Sequence, residues 1–155
     1  MAFEWIPIIK EINTLIKDLG GLAKTNNKTR DLLIRELKLN IKSFDEAYKS
    51  KINFDKMAEL LSNDEIKKAR EAGFSFNKIK SGTVKAVHIK DERNKRYESK
   101  DCDWLFKNVD EKIEEIKRLK QYHNTLEGHG HLNISLKFSN LFFKLKLLAD
   151  FILNG

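Results

Sequence analysis

The scarcity of turn-forming residues is the feature that most restricts how this chain can fold. Proline occurs once, at Pro7, and glycine occurs seven times in 155 residues. All-β domains join many short strands through turns rich in these two residues, so their scarcity favours few, long elements. Frequent Lys, Leu, Ile and Glu favour helix over strand. We therefore expect an all-α domain.

The first third of the chain contains two amphipathic patterns of helical period. Steps of three and four place seven apolar residues on one face: Trp5, Ile8, Ile9, Ile12, Leu15, Ile16 and Leu19. Gly20-Gly21 then ends the pattern, because glycine accepts the left-handed C-cap conformation. A second stripe, from about Asn27 to Lys51, comprises Leu33, Leu37, Ile41, Phe44 and Tyr48. Its opposite face is basic, so the sequence predicts a long basic helix.

Two short helices are expected next. The first extends from Asp55 to Leu61. The second begins at a capping box, Ser62-Asn-Asp-Glu65, in which the serine oxygen would accept a backbone N–H and the glutamate would reach back. This helix should end near Gly73.

Between residues 74 and 100 the helical pattern is interrupted. Three residues should anchor this segment to the core: Phe74, Phe76 and Ile79. The β-branched stretch from Thr83 to Ile89 predicts a short extended piece. Between Lys85 and Lys100 there are six basic and three acidic residues. We therefore expect a long, exposed, basic connection, and connections of this length are uncommon unless they are functional or disordered.

Two long helices complete the chain. The fifth helix should run from about Asp101 to His123, with an inward stripe of Leu105, Val109, Ile113 and Ile116. After a link from Glu127 to His131, apolar residues step by four and three at Ile134, Phe138, Leu141, Leu145, Leu148 and Ile152. Residues 132–138 alternate like a strand, but the longer register favours a helix. This last helix is the most apolar and should lie at the centre.

These elements predict an irregular helical bundle of four long and two short helices, with a long basic connection before the fifth. One domain should span residues 1–155. No stretch approaches the ~18 apolar residues of a membrane span, and the N-terminus lacks the basic region of a signal peptide. The single cysteine, Cys102, cannot form an internal disulfide and is interpreted as a packing residue. A cytoplasmic protein is expected.

The charge balance restricts the class of partner without naming one. The net charge is +7 and the pI is about 9.4, which permits contact with nucleic acid, anionic lipid or an acidic protein. Within the basic connection, the candidates for phosphate contact are Lys90, Arg93, Lys95 and Arg96. The alternative is that these side chains are only solvated surface charges.

One pair of residues suggests catalysis. Arg118-Leu-Lys-Gln-Tyr-His123, an arginine followed after four residues by a histidine, resembles the signature of the HEPN superfamily of small helical bundles, several of which cleave RNA, usually as dimers. The resemblance covers six residues and a general helical character. It implies that His123 would transfer a proton at the ribose 2′-hydroxyl and that Arg118 would hold the scissile phosphate. The alternative is a helix-ending pair favoured by the helix dipole.

A group of possible metal ligands lies just beyond that pair. His123, Glu127, His129 and His131 fall within nine residues, and imidazole and carboxylate groups bind transition metals. Their spacing matches no standard zinc pattern, and a turn with two glycines presents ligands poorly. We interpret this segment as a polar turn and expect no metal and no cofactor.

The sequence therefore leaves three hypotheses about function. The first is a non-catalytic interaction or regulatory module, with another protein or a second copy of the chain as its partner. The second is a HEPN-like ribonuclease that uses Arg118 and His123. The third is non-specific binding of the RNA or DNA phosphate backbone.

Overall fold

The computed structural model describes residues 9–22 and 27–154 and confirms the all-α class. Within these residues it contains six α-helices: α1 (Ile9–Gly20), α2 (Lys28–Ser50), α3 (Phe54–Leu60), α4 (Asp64–Glu71), α5 (Cys102–His123) and α6 (Ile134–Asn154). Four are long and two are short, as the apolar patterns predict. Trp5 and Ile8, which begin the first predicted stripe, lie outside the described residues.

Capping side chains explain where α2 and α5 begin and end. Asn27 accepts the backbone N–H of Arg30 at 3.1 Å, and Asp101 accepts that of Trp104 at 2.8 Å. Each bond satisfies a donor that the first helical turn leaves without an internal partner. At the opposite ends, Lys51 and Asn124 adopt left-handed conformations with φ of 50° and 64°. The predicted boundaries of both helices are therefore correct to within one residue.

The start of α4 differs from the predicted capping box. Glu65 and Ile66 donate their backbone N–H groups to the carboxylate of Glu36 on α2, at 2.8 and 3.2 Å. The Ser62 hydroxyl also donates to Glu36, at 2.9 Å. The predicted Ser62–Glu65 box is wrong because a carboxylate from a neighbouring helix supplies the acceptor. Glu65 instead lies 3.7 Å from Lys68, as an exposed ion pair.

The last helix lies at the centre of the bundle. Fifteen of the 21 residues of α6 are buried, and α6 packs against α1, α2 and α5. The ring centroids of Phe142 and Phe44 are 5.3 Å apart, and those of Phe138 and Phe54 are 5.4 Å apart. Burying each such ring contributes about 1.5–3 kcal/mol. The prediction that the most apolar helix is central is confirmed.

The inward stripes of α2 and α5 are buried as predicted, with one exception. Tyr48, expected to continue the α2 stripe, is 37% exposed, whereas Ala47 is fully buried. The helix has 3.6 residues per turn, so a stripe that steps mainly by four drifts outward by its last turn. A smaller side chain therefore fills the inward position at the end of α2.

The segment between α4 and α5 is neither extended nor uniformly exposed. It forms 3₁₀ turns at Phe76–Lys78, Ala86–His88 and Glu92–Tyr97, and Thr83 makes only an isolated bridge to Asp101. The extended piece predicted at residues 83–89 is confirmed only at its ends: Thr83 makes the bridge and Lys85 and Ile89 have extended backbone angles, but residues 86–88 form a 3₁₀ turn. Val84 is buried and helps to hold the segment on the core.

Two buried polar side chains attach this segment to α6. Asn94 donates to the backbone carbonyl of Phe143 at 3.2 Å. The Nδ1 atom of His88 accepts the backbone N–H of Lys85 at 2.9 Å, and its ring meets the ring of Phe151 edge-on at 5.3 Å. Most residues between Lys85 and Lys100 are exposed, as predicted, but hydrogen bonds and ring contacts also attach this connection to the central helix.

None of the helices that the structure describes combines the length and the apolar character needed to cross a membrane.

Candidate functional site

The predicted catalytic pair lies on the last two turns of α5, but its two members have different surroundings. The Nε atom of Arg118, whose side chain is 77% exposed, lies 3.5 Å from Glu114. His123 is half-buried, and its ring centroid is 4.4 Å from that of His129. Five residues along an α-helix correspond to a rotation of about 140°. Arg118 and His123 therefore point to different sides of α5.

A shallow groove of about 540 Å³ runs beside Arg118. Four of its eight lining residues are acidic, namely Asp110, Glu111, Glu114 and Glu115, and its cations are Arg70 and Arg118. Hydrogen bonds from Lys67 and Asn63 lower the pKa of Glu114 to about 2, so this carboxylate is ionised at neutral pH. A phosphodiester brought to Arg118 would meet this negative charge.

The histidine-containing turn places its imidazoles near one another. The ring centroids of His129 and His131 are 6.0 Å apart. Glu127, the carboxylate of this group, accepts the backbone N–H of Phe54 at 3.2 Å and so helps to begin α3. Among residues 9–22 and 27–154, no group of three His, Cys, Asp or Glu side chains is arranged to hold a metal ion.

Cys102 lies inside the core at the start of α5. Its side chain is fully buried, and burial raises the pKa of the thiol to about 12. The thiolate is the reactive form of cysteine, so this residue is inert near neutral pH. Its position agrees with the interpretation of Cys102 as a packing residue.

The four predicted phosphate contacts have different roles in the fold. Arg93 is held by Asp91 at 3.1 Å and Ser139 at 2.8 Å, and its guanidinium lies 4.1 Å from the centre of the Phe143 ring. Such a side chain attaches the connection to α6. Lys95 is exposed and lies 3.7 Å from Glu92.

Lys90 lies apart from the other three. It borders a cavity of about 380 Å³ that residues of α1 and α6 also line, among them Asp18 and Asp150. Arg96 lies over the ring of Tyr97, with 5.1 Å between the guanidinium carbon and the ring centroid. Of the four predicted residues, the structure therefore brings Arg96 alone to the site described next.

A cationic–aromatic corner forms where the connection meets α5 and α6; it consists of Arg96, Tyr97, Lys100, Trp104 and Lys144. The Lys144 ammonium lies 4.3 Å from the ring centroid of Tyr97 and 5.4 Å from that of Trp104. The two rings are 5.3 Å apart, and Lys100 lies 5.1 Å from the centroid of Trp104. Cations lie over both rings, an arrangement that the ring quadrupole favours.

Lys144 is the most unusual member of the corner, because only 3% of its surface is exposed to solvent. Its ammonium donates to the amide oxygen of Asn108 and is hydrogen-bonded to the Tyr97 hydroxyl. Burial lowers the pKa of Lys144, although the Tyr97 contact opposes this shift. Burial also disfavours ionised Tyr97, but the hydrogen bond and charge of Lys144 outweigh it and lower the pKa of Tyr97.

The positive charge of the corner is not balanced by neighbouring acids. In the part of the chain that the structure describes, no salt bridge joins Arg96, Lys100 or Lys144 to a carboxylate. Of the three acids in the adjoining connection, Asp91 and Glu92 are paired with other cations, and Glu98 is exposed and forms no salt bridge with the corner in the described part of the chain. The corner is therefore a local concentration of positive charge beside two half-buried aromatic rings.

Four of the five members of this corner are not among the predicted phosphate contacts: Tyr97, Lys100, Trp104 and Lys144. Lys144 does leave a signal, because it is a lysine within the most apolar segment of the chain. A lysine at that place either extends to solvent or marks a buried charge. The sequence does not distinguish these cases, since the distinction depends on Tyr97 and Asn108, which lie 47 and 36 positions earlier.

Comparison with family models, with curated proteins and with solved structures found no match to this chain.

Proposed function

We propose that this protein is a non-catalytic binding module that contacts the phosphate backbone of single-stranded nucleic acid through the cationic–aromatic corner. The observation that supports this most directly is Lys144, a buried cation with no carboxylate partner among the described residues. The proposal joins two of the sequence hypotheses, a non-catalytic module and a backbone binder.

The energetics of the buried ammonium favour an anionic ligand. A charge removed from water is stabilised only when nearby groups replace the lost hydration. Here an amide oxygen, a phenol and two ring faces do so, without a negative charge. An anion placed beside the corner would be attracted more strongly than by a cation in water, because the effective dielectric constant is lower there.

The exposed members of the corner suit a phosphate chain. Arg96 is exposed and Lys100 is half-buried, so both can reach a ligand at the surface. Arginine can bind a phosphate through two parallel N–H donors, whereas lysine provides a compact charge. Two neighbouring cations fit successive phosphates of one backbone.

The aromatic members favour a single strand over a duplex. Tyr97 and Trp104 are half-buried, so part of each ring remains accessible. Cations already lie over the two rings, so an unpaired base reaches only the part of each ring that stays exposed. Such base–aromatic contacts tolerate any sequence and contribute at most about 1–3 kcal/mol each. In a duplex the bases are already stacked on one another and are not available.

The surroundings of Arg118 and His123 support binding without cleavage. The two side chains point to different sides of α5, and Arg118 borders an acidic groove. The HEPN-like ribonuclease hypothesis stays a prediction, and the experiment below also tests it.

Fluorescence anisotropy of a labelled mixed-sequence RNA tests the proposal. We expect a rise that persists for an hour and weakens with salt, since counterion release gives log K a slope of about −0.7 per phosphate contact. Arg96→Met/Lys100→Met should reduce the steepness of that slope by about 1.4 and the affinity at low salt by at least about tenfold. Intact RNA should be recovered from a gel.

The matched control removes two charges from the other basic surface. Arg35 and Lys42 are exposed on α2, and Arg35→Met/Lys42→Met changes the net charge equally. Equal losses from both double variants would contradict the corner as the site, because they would reflect net charge alone. A fall of the anisotropy below that of free RNA would instead mean cleavage. Loss of that cleavage in Arg118→Ala and His123→Ala would support the ribonuclease.

A further inference from the structure

The outward face of α5 near its C-terminal end exposes apolar surface that the bundle does not cover. Tyr122 is 82% exposed, and Leu136 on the facing part of α6 is 53% exposed. Between them, Leu119 and Leu132 are half-buried in a groove of about 400 Å³. Single exposed apolar residues are common, but a contiguous group of them indicates an interaction surface.

The charges along this face follow a regular order. Glu111, Glu115, Arg118 and Tyr122 are spaced by four, three and four residues, which is the spacing of the seam between two packed helices. Their directions around the α5 axis lie within about 60° of one another. The first two positions are acidic, and the last two carry a cation and a phenol. The face therefore has an acidic half and a half that donates hydrogen bonds.

This order is self-complementary when two copies of α5 lie antiparallel. A two-fold axis that passes midway between Glu115 and Arg118 places Glu115 of each copy against Arg118 of the other copy. The same axis brings Glu111 against Tyr122. Each contact then occurs twice, as an isologous interface requires.

We propose that a second copy of this chain docks on this face, with the two α5 helices antiparallel and Glu115 of each copy paired with Arg118 of the other. Tyr122 would donate its hydroxyl to Glu111 across the interface, and Leu119 and Leu136 would lose water from the flanking groove. This docking surface is separate from the cationic–aromatic corner and does not depend on the proposed function.

The contacts within one chain permit this exchange at small cost. Arg118 lies 3.5 Å from Glu114, and Glu115 lies 2.6 Å from Lys137, in pairs whose side chains are between 30% and 77% exposed. Exposed pairs of this kind contribute about 0–1 kcal/mol. Glu114 stays ionised, as its pKa of about 2 shows, so Arg118 remains beside an acid in either state.

Sedimentation equilibrium from low micromolar to several hundred micromolar protein tests the interface. We expect a reversible dimer. Arg118→Glu places two acids together at both symmetric contacts and should weaken the dimer at least about tenfold. Glu115→Arg should do the same by joining two cations. The double swap Glu115→Arg/Arg118→Glu restores opposite charges and should recover most of the wild-type dimerisation.

Two further variants make the result decisive, with far-UV circular dichroism confirming that each is folded. Tyr122→Glu should dissociate the dimer, whereas Val87→Glu should not, because Val87 is 73% exposed near the opposite end of α6. A wild-type monomer over the whole concentration range would overturn the proposal. A dimer that Arg118→Glu leaves intact would overturn it as well. So would a double swap that stays monomeric, even if Tyr122→Glu dissociates the dimer as expected.

Discussion

Two charged side chains are buried to nearly the same degree, and their surroundings differ. Glu36 on α2 is 5% exposed and Lys144 on α6 is 3% exposed. Glu36 accepts two backbone N–H groups at the start of α4 and the hydroxyl of Ser62. Lys144 has an amide oxygen, a phenol and two aromatic faces around it, but no carboxylate among the described residues.

The two charges differ in the groups that replace their lost hydration and not in their burial. The donors around Glu36 belong to the first turn of α4, whose helix dipole also favours an anion. Burial still raises the pKa of Glu36, although these hydrogen bonds oppose the shift. The groups that contact the Lys144 ammonium are uncharged and stabilise its charge less strongly than a carboxylate would. This unbalanced charge is the basis of the proposed contact with an anionic ligand.

The largest effect should come from removing Glu36. Glu36→Ala leaves two backbone donors and the Ser62 hydroxyl without their acceptor at the junction of α2 and α4. Because unpaired buried donors are costly and the helix loses its cap, we expect a loss of about 3–5 kcal/mol in the free energy of unfolding. Urea unfolding followed by circular dichroism measures it.

Glu36→Gln serves as the control, because it removes the charge and keeps one oxygen for Glu65 and Ser62, although its NH2 group then replaces the oxygen that accepts from Ile66. The folded-state pKa of Glu36 is raised, so its contribution is fully present below the ordinary value of 4.5 and is lost as pH rises through the folded value. The free energy of unfolding of the wild type should fall as pH rises through the pKa of Glu36, and this fall should be absent from Glu36→Gln. If Glu36→Ala were as stable as the wild type, the hydrogen bonds of Glu36 would not be needed to stabilise the start of α4.

A second large effect should follow from Asn63, which is 1% exposed. Its amide donates to Asp110 at 2.8 Å and to Glu114 at 3.0 Å, so it lies between two acids of α5. Asn63→Ala should cost about 2 kcal/mol, because both carboxylates lose a donor and approach as like charges. Thermal unfolding measures this loss.

Arg70→Met is the control for that prediction. Arg70 lies 2.6 Å from Asp110 but is more exposed, so its removal should cost less than Asn63→Ala. The reverse order would mean that the arginine, and not the buried amide, compensates these acids.

Lys144 should respond in the opposite sense to Glu36. Lys144→Met replaces a buried cation with an apolar side chain of similar length, so we expect unchanged stability or a gain of up to about 2 kcal/mol. RNA binding should fall in the same variant. A loss of more than about 2 kcal/mol in the free energy of unfolding would show that the fold needs this charge, and the expected difference between Lys144 and Glu36 would be absent.

The alkaline range sharpens this prediction. Tyr97 and Lys144 both have lowered pKa values in the folded protein. At a pH between a group's pKa in the folded state and its pKa in the unfolded state, the unfolded chain therefore binds more protons. Wild-type stability should gain a contribution as pH rises through that range, and lose it as pH falls. Lys144→Met should lack this contribution, as unfolding at several alkaline pH values would reveal.

The helices follow from patterns within the sequence, whereas the contacts between them do not. The apolar spacing is local, and it predicts α2 and α5 to within one residue. The caps that the structure shows at Asn27 and Asp101 are local as well. The cap of α4 was predicted wrongly because its acceptor, Glu36, lies 29 residues before Glu65. A local motif cannot reveal a competing acceptor on another helix.

The candidate site was less predictable for the same reason. A run of cations directs attention to Arg96, but it gives equal weight to Arg93, which Ser139 and Phe143 hold in the fold. Lys144 becomes notable only when Tyr97 and Asn108 are brought to it by packing. Charge patterns thus find the neighbourhood of the corner, and burial identifies its members.

The smallest effect should come from Glu114, the acid whose pKa is lowered to about 2 by Lys67 and Asn63. Its contribution is present above the ordinary value of 4.5 and is lost as pH falls through about 2, the opposite sign to Glu36. Because Glu114 is 30% exposed and solvent weakens its interactions, Glu114→Gln should cost less than about 1 kcal/mol at neutral pH. Unfolding between neutral and acidic pH should show the variant converging with the wild type at low pH. If both carboxylates gave slopes of the same sign, the Glu36 shift could not be assigned to burial and the Glu114 shift to its hydrogen bonds.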